Sequence, residues 1–218
     1  MATEQDLEEL ASQLRQPTGK KGVEIADMMN ETNIRMTYHS ISQLNVADGN
    51  VILELGHGNG GHLSFLLDKA KNLVYHGLEI SGLMHQEAQS INNTFVTTRQ
   101  AYFHLYDGVA IPFSENTFDR IFTVNTIYFW SNPEVLLSEL YRVLKPTGIA
   151  AITFAQKSFM EQLPFTQFGF ELYDNEKLTR LVSTTAFKIL DTDTQTEYIK
   201  SKTGEMVNRA FTTFALQK

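Results

Sequence analysis

Cysteine is absent from the 218-residue sequence, which excludes disulfides and thiolate metal ligands. That absence suits a reducing compartment, and a cytoplasmic location is the expectation. Basic residues are also scarce: 18 Lys and Arg stand against 25 Asp and Glu, a formal net charge of −7. An acidic domain without a basic stripe is poorly matched to nucleic acid, where phosphate neutralisation supplies most of the affinity. No apolar run is long enough for a membrane span. The first residues, with Glu4, Asp6, Glu8 and Glu9, read as neither a signal peptide nor an anchor. Proline is rare, at five residues, so few positions forbid regular structure. What remains, with 42% hydrophobic residues, is enough apolar side chain to bury a full core.

The most informative stretch is Val51-Ile52-Leu53-Glu54-Leu55-Gly56-His57-Gly58-Asn59-Gly60-Gly61. A short apolar run reads as a buried strand, and the four glycines that follow allow a ligand to approach the backbone closely. Leu63, Phe65, Leu66, Leu67 and Ala70 then take helical spacing. In α/β sheets, ligands bind outside the carboxyl ends of the strands, so this strand–loop–helix unit predicts a nucleotide-type cofactor site.

Along the rest of the chain, strands alternate with helices. Thr3 reads as a helix cap, followed by an apolar stripe to Leu14. A second helical region, Lys20 to Leu44, is expected to break within 28–33, where Asn and Thr favour caps over interiors. Further strands are expected over 72–79, 101–106, 117–123 and 149–154. Helices are expected from Ser81, from Asn132-Pro133 up to a stop at Lys145–Gly148, and from Asp174. Residues 156–170 read as an irregular Phe-rich connection. Two last strands, around 187–198 and 208–215 with Lys202-Thr203-Gly204 between them, can pair only antiparallel. The sum is an α/β fold: a Rossmann-like, mostly parallel seven-stranded sheet with helices on both faces and a C-terminal antiparallel hairpin. One domain is expected, with residues 1–47 as an N-terminal helical cap on a core of 48–218.

The glycines fit two patterns. Gly56, Gly58 and Gly61 match the dinucleotide GxGxxG, with Glu79 at a suitable distance for a ribose hydroxyl, which keeps an NAD(P)-dependent oxidoreductase open. Glu54, Gly56, Gly58 and Gly60 match ExGxGxG. Glu54 favours the second, because a carboxylate inside a buried strand is costly unless paired, and a cationic ligand group would pair it. The short chain after the fifth strand and the closing hairpin also fit dehydrogenases poorly.

The sequence resembles class I S-adenosylmethionine-dependent methyltransferases of the small-molecule type, similar to those of ubiquinone and menaquinone biosynthesis. The likeness runs from Asp48 to Phe154, on VILELGHGNGG (51–61), LEI (78–80), YDGVAIPFSENTFDRIF (106–122) and ELYRVLKPTGIAAIT (139–153). The resemblance implies S-adenosyl-L-methionine as cofactor and methylation of a small-molecule acceptor. Carried over by position, Glu54 would meet the methionyl ammonium and Gly56 and Gly58 would lie against the methionyl part and ribose. Glu79 would accept from the ribose hydroxyls, and Ile80 and Met84 would flank the adenine. Asp107 would accept from the adenine amino group, Gly108 would donate to the ring, and Asn125 would line the methionyl side. A non-catalytic binder of the same cofactor is a third expectation.

No acid–base dyad is visible in the sequence, and an in-line methyl transfer needs chiefly positioning. If a base takes part, Tyr38, His39 and Tyr128 are the candidates. Tyr128, Phe129 and Trp130 would give an aromatic wall suited to a sulfonium. His57 and His62 lack a carboxylate at metal-ligand spacing, so no metal site is expected.

Overall fold

The structure, a computed structural model, describes residues 3–200 and 206–218. The chain begins with two helices, α1 (Glu4–Arg15) and α2 (Gly19–Ser42). Thr3 and Asp6 close a reciprocal capping box at the start of α1. The expected break in α2 is absent: the helix runs unbroken for 24 residues. The hydroxyl of Thr32 turns back to the carbonyl of Met28 at 2.8 Å, so a residue expected to end the helix is accommodated inside it.

β1 (Val51–Leu55), α3 (Leu63–Leu67), β2 (Val74–Glu79), α4 (Gly82–Ile91), α5 (Asn93–Thr97), β3 (Ala101–Leu105) and β4 (Phe118–Val124) follow. After them come α6 (Pro133–Val143), β5 (Leu144–Ala155), α7 (Lys157–Met160), α8 (Asn175–Ser183), β6 (Lys188–Lys200) and β7 (Met206–Gln217). Ser81, Asn132 and Asp174 each accept a backbone N–H as caps of α4, α6 and α8. The stop expected at Lys145–Gly148 comes earlier: β5 starts at Leu144, and Thr147 sits at φ +65° where the ladder with β4 shifts register. The stretch 156–170 holds α7 and a 3-10 turn over Pro164–Gln167. The expected link Lys202-Thr203-Gly204 lies outside the described residues.

The seven strands are ordered β3-β2-β1-β4-β5-β7-β6. β1 to β5 are parallel, while β7 pairs antiparallel with both β5 and β6. Alternate side chains along each strand feed two cores. Leu53, Ile121 and Ile152 pack with Leu137 and Leu140 of α6 and Leu178 of α8. Ile52, Phe122 and Ala151 pack with Ile41 of α2, Leu63 and Leu66 of α3 and Ala88 of α4. The order reverses at β1, which lies between β2 and β4, so a crevice opens above the end of β1, where an open α/β sheet takes its ligand.

Candidate cofactor-binding cleft

A cavity of about 180 Å³ opens at that crevice. Its floor comes from the segments that follow β1, β2, β3 and β4, and its roof from α1, α2 and the turn between them. The floor begins with Gly56, at φ +73°, whose N–H donates to the Leu78 carbonyl at 2.8 Å. A Cβ there would lie 2.4 Å from Cγ2 of Thr126, so only glycine fits. At Gly58 (φ +56°) a Cβ would meet open space.

Two buried carboxylates mark the floor. Glu79, at the end of β2, is 6% exposed. Its Oε1 accepts the N–H of Ile80 at 2.8 Å and of Ser81 at 3.0 Å, and its Oε2 accepts the N–H of Gly58 at 3.1 Å. Burial raises its pKa, partly offset by those three donors. Glu54 is 3% exposed and uses its oxygens differently. The Tyr75 hydroxyl (2.5 Å) and Nε2 of His62 (2.8 Å) both lie against Oε2. Among the described residues, Oε1 has no protein partner, and Glu54 lines the cavity.

The sequence reasoning missed this arrangement around Glu54, although one signal for it was there. Gly77, inside β2, pairs with Glu54 across the ladder. A Cβ on Gly77 would come within 2.8 Å of the Tyr75 hydroxyl and 2.6 Å of Cδ2 of His57. A glycine inside a strand marks such a close approach. His57 is buried, its Nδ1 lies 2.7 Å from the Gly58 carbonyl, and burial pulls its pKa down to about 4. It is therefore neutral at pH 7.

Of the residues carried over from the resemblance, Glu54, Gly56, Gly58, Glu79, Ile80, Met84, Gly108 and Asn125 all line the cavity. Asp107 does not: it is exposed, and its Oδ1 accepts the N–H groups of Val109 (2.8 Å) and Ala110 (2.9 Å), a turn-closing role. None of the three candidate bases faces the cleft. Tyr38 stacks on Phe65 of α3, and Nε2 of His39 lies 3.1 Å from Oδ2 of Asp193. Both border a separate groove between α2 and the β6–β7 pair. Tyr128 is buried under the floor, with its hydroxyl 3.0 Å from Oδ1 of Asn125 and 2.9 Å from the Ala155 carbonyl. Burial raises its pKa, so it stays protonated. Phe129 and Trp130 do reach the cleft. So do Arg15, Pro17, Asn30 and Asn33, which the sequence did not single out, and His62, which it weighed only as a metal ligand. The roof is tied down where Gln16 donates to the Ile80 carbonyl (2.9 Å) and Ser81 to that of Pro17 (2.6 Å). Among the described residues, no group of three or more His, Cys, Asp or Glu is arranged to hold a metal ion.

Comparison with known proteins agrees with this geometry. The family profile described as a methyltransferase domain matches residues 53–152. An uncharacterised Bacillus subtilis methyltransferase, YdaC, is 28% identical over 160 residues, covering 67% of this chain and 86% of its own. Two further curated relatives are matched over 19% and 47% of their lengths. Among solved structures, an Aquifex aeolicus S-adenosylmethionine-dependent methyltransferase superposes with a TM-score of 0.65 at 18% identity, covering 88% of this chain and 96% of that one. A Haemonchus contortus phosphoethanolamine N-methyltransferase, solved with S-adenosylhomocysteine, gives 0.69 at 17% identity over 96% of this chain and 60% of that one. Residues 53–152 match the methyltransferase-domain family, and the fold is the one seen in solved S-adenosylmethionine-dependent methyltransferases. The nicotinamide alternative falls with that match, because its glycine pattern is contained in the methyltransferase segment.

Proposed function

We propose that the cleft holds S-adenosyl-L-methionine with its adenine end over Ile80, Met84 and Gly108 and its methionyl end over Glu54 and Asn125. The observation that carries this is Oε1 of Glu54: a buried carboxylate with one oxygen held by Tyr75 and His62 and the other open to the cavity. An ammonium group completes that pairing, and a buried acid without such a partner is costly. The open face of Gly58 and the donors converging on Glu79 fit a ribose beside the loop. Bound there, the cofactor would supply an activated methyl group, with its sulfur as the leaving atom, to a nucleophilic acceptor. The chain's own share is to position the two partners and to exclude water beneath α2 and the aromatic wall.

The acceptor in this proposal is a small molecule, since the roof of α1 and α2 lies close over the cleft. The chain acts as one domain, 1–218, with 1–47 as the helical cap on a Rossmann-like core of 48–218. The cysteine-free, acidic sequence supports a cytoplasmic setting. No helix among the described residues is long and apolar enough to cross a membrane. Calorimetric titration with S-adenosylhomocysteine tests the site. Binding is expected, weakened at least tenfold in Glu54→Gln, which keeps the shape and removes the charge; equal affinity in the two proteins would end the proposal.

A further inference from the structure

The two edges of the sheet are built differently. At one end, β6 carries Lys188, Asp191 and Asp193 and a register shift between Ile189 and Asp191, devices that keep an edge from pairing with another chain. At the other end, β3 reads Ala101-Tyr102-Phe103-His104-Leu105, with no Lys, Arg, Asp, Glu or Pro. His104 is neutral at pH 7, because burial lowers its pKa. Exposed apolar side chains lie on this strand and just after it: Tyr102, Leu105 and Val109.

The ladder with β2 fixes which backbone groups of β3 are free. The Gln100 carbonyl accepts the Tyr75 N–H at 2.8 Å, and the Tyr106 N–H donates to the Glu79 carbonyl at 3.1 Å, so both residues turn toward β2. Alternation along the strand turns Tyr102 and His104 the same way. The N–H and C=O groups of Ala101, Phe103 and Leu105 therefore face outward. One charge stands just beyond each end of this ladder. Arg99, exposed and at φ +59°, has a guanidinium with no hydrogen bond or ion pair among the described residues. Asp107 commits Oδ1 to its turn, and no side chain among the described residues bonds its Oδ2.

We infer that β3 is a self-association surface, taken up by the β3 of a second copy of this chain, paired antiparallel about a two-fold axis at Phe103. The inference goes beyond the cofactor reading and does not rest on it. With Phe103 opposite its own counterpart, Ala101 faces Leu105 of the second copy and Leu105 faces its Ala101. Each of these pairs exchanges both backbone hydrogen bonds, so every outward N–H and C=O of β3 finds a partner. The same register sets Arg99 opposite Asp107 of the second copy, and the symmetry repeats that opposite-charge pair at the other end. On the other face of the strand it sets Tyr102 opposite His104 of the second copy. A register centred elsewhere on the strand leaves one end of it unpaired and moves Arg99 away from Asp107. Backbone and charge thus agree on one register, and that agreement makes a second copy the occupant.

Sedimentation-velocity ultracentrifugation of the full chain, over a series of rising concentrations, tests this. A monomer–dimer equilibrium is expected. Arg99→Asp, a residue that tolerates positive φ, sets acids opposite each other at both ends of the seam. It should weaken the dimer about tenfold at unchanged melting temperature, since the symmetry counts the substitution twice. Asp107→Arg sets cations opposite each other and should weaken it similarly. An equimolar mixture of these two variants restores opposite charges at both ends and should associate as the unsubstituted protein does, a rescue that misfolding of either variant would not give. Leu105→Pro removes an N–H that β2 does not use and should abolish the dimer. The inference is overturned by a monomer at every concentration, which would leave the strand to a different protein. It is equally overturned by a dimer indifferent to Arg99→Asp and Leu105→Pro, or by a mixture that fails to associate.

Discussion

The hydroxyl of Tyr75 reaches Oε2 of Glu54 at 2.5 Å from the neighbouring strand, with no side chain at Gly77 to block it. Tyr75 is fully buried, and burial beside Glu54 raises its pKa, so the phenol is a standing donor to the inner oxygen of that carboxylate. Tyr75→Phe keeps the ring and removes that donor. It is expected to cost about 1–3 kcal/mol of stability, the penalty for an undersatisfied buried group. Urea denaturation measures it, and a loss below about 0.5 kcal/mol would show that His62 alone suffices.

Glu79 does two jobs. It holds the N–H groups of Gly58, Ile80 and Ser81, and in the proposed complex it also accepts from ribose. Glu79→Ala is therefore expected to lower stability and S-adenosylhomocysteine affinity together, whereas a ribose contact alone would affect affinity only. The pH dependence has a definite sign. Because burial raises the folded-state pKa, the charged carboxylate costs stability above that pKa. The native state takes up this proton at a higher pH than the unfolded chain does. Affinity should begin to fall at a pH above the ordinary glutamate range as the solution is acidified, and Glu79→Gln should flatten that fall.

His57 contributes the opposite slope. Its folded pKa is about 4 against 6.5 for a free imidazole, because burial disfavours the cation. Unfolding below pH 6.5 therefore takes up a proton, so stability is full above 6.5 and declines as pH drops toward 4. The expected loss is about 3 kcal/mol over that window. Chemical denaturation at pH 7 and pH 4.5, compared with His57→Gln, isolates it; equal slopes in the two proteins would refute it.

Gly56→Ala meets two obstacles, a positive φ and a contact of 2.4 Å with Thr126. A loss of about 1–3 kcal/mol is expected. Thr126→Ala in the same protein removes the clash but leaves φ unchanged. The double variant should therefore recover part of the loss, and full recovery would mean that the backbone there is not strained.

Asp107 separates the structure from the resemblance. Its carboxylate is exposed and committed to a turn, so Asp107→Ala is expected to change S-adenosylhomocysteine affinity less than twofold. A tenfold loss in calorimetry would restore it to the adenine.

The strand–glycine–helix core was legible because it rests on local rules: apolar runs, caps at Ser81, Asn132 and Asp174, and glycines where the backbone turns. The hairpin was legible because a short link permits only antiparallel pairing. Local rules failed where tertiary contacts prevail. Thr32 stays inside α2 because that helix is held across the sheet, and β5 begins at Leu144 because its ladder with β4 extends past Thr147. In the cleft, Glu54 and Glu79 were readable from position relative to glycines. Asn33 and Arg15 were not, because which face of a helix meets the cavity depends on how α1 and α2 cross the strands.

The contact between Asn33 and Arg209 joins positions 176 residues apart. Because Arg209 lies on β7 and also holds the Thr32 carbonyl, the roof helix over the cleft and the C-terminal edge of the chain share one anchor, so fraying of β7 should loosen α2 while the glycine loop after β1 keeps its shape.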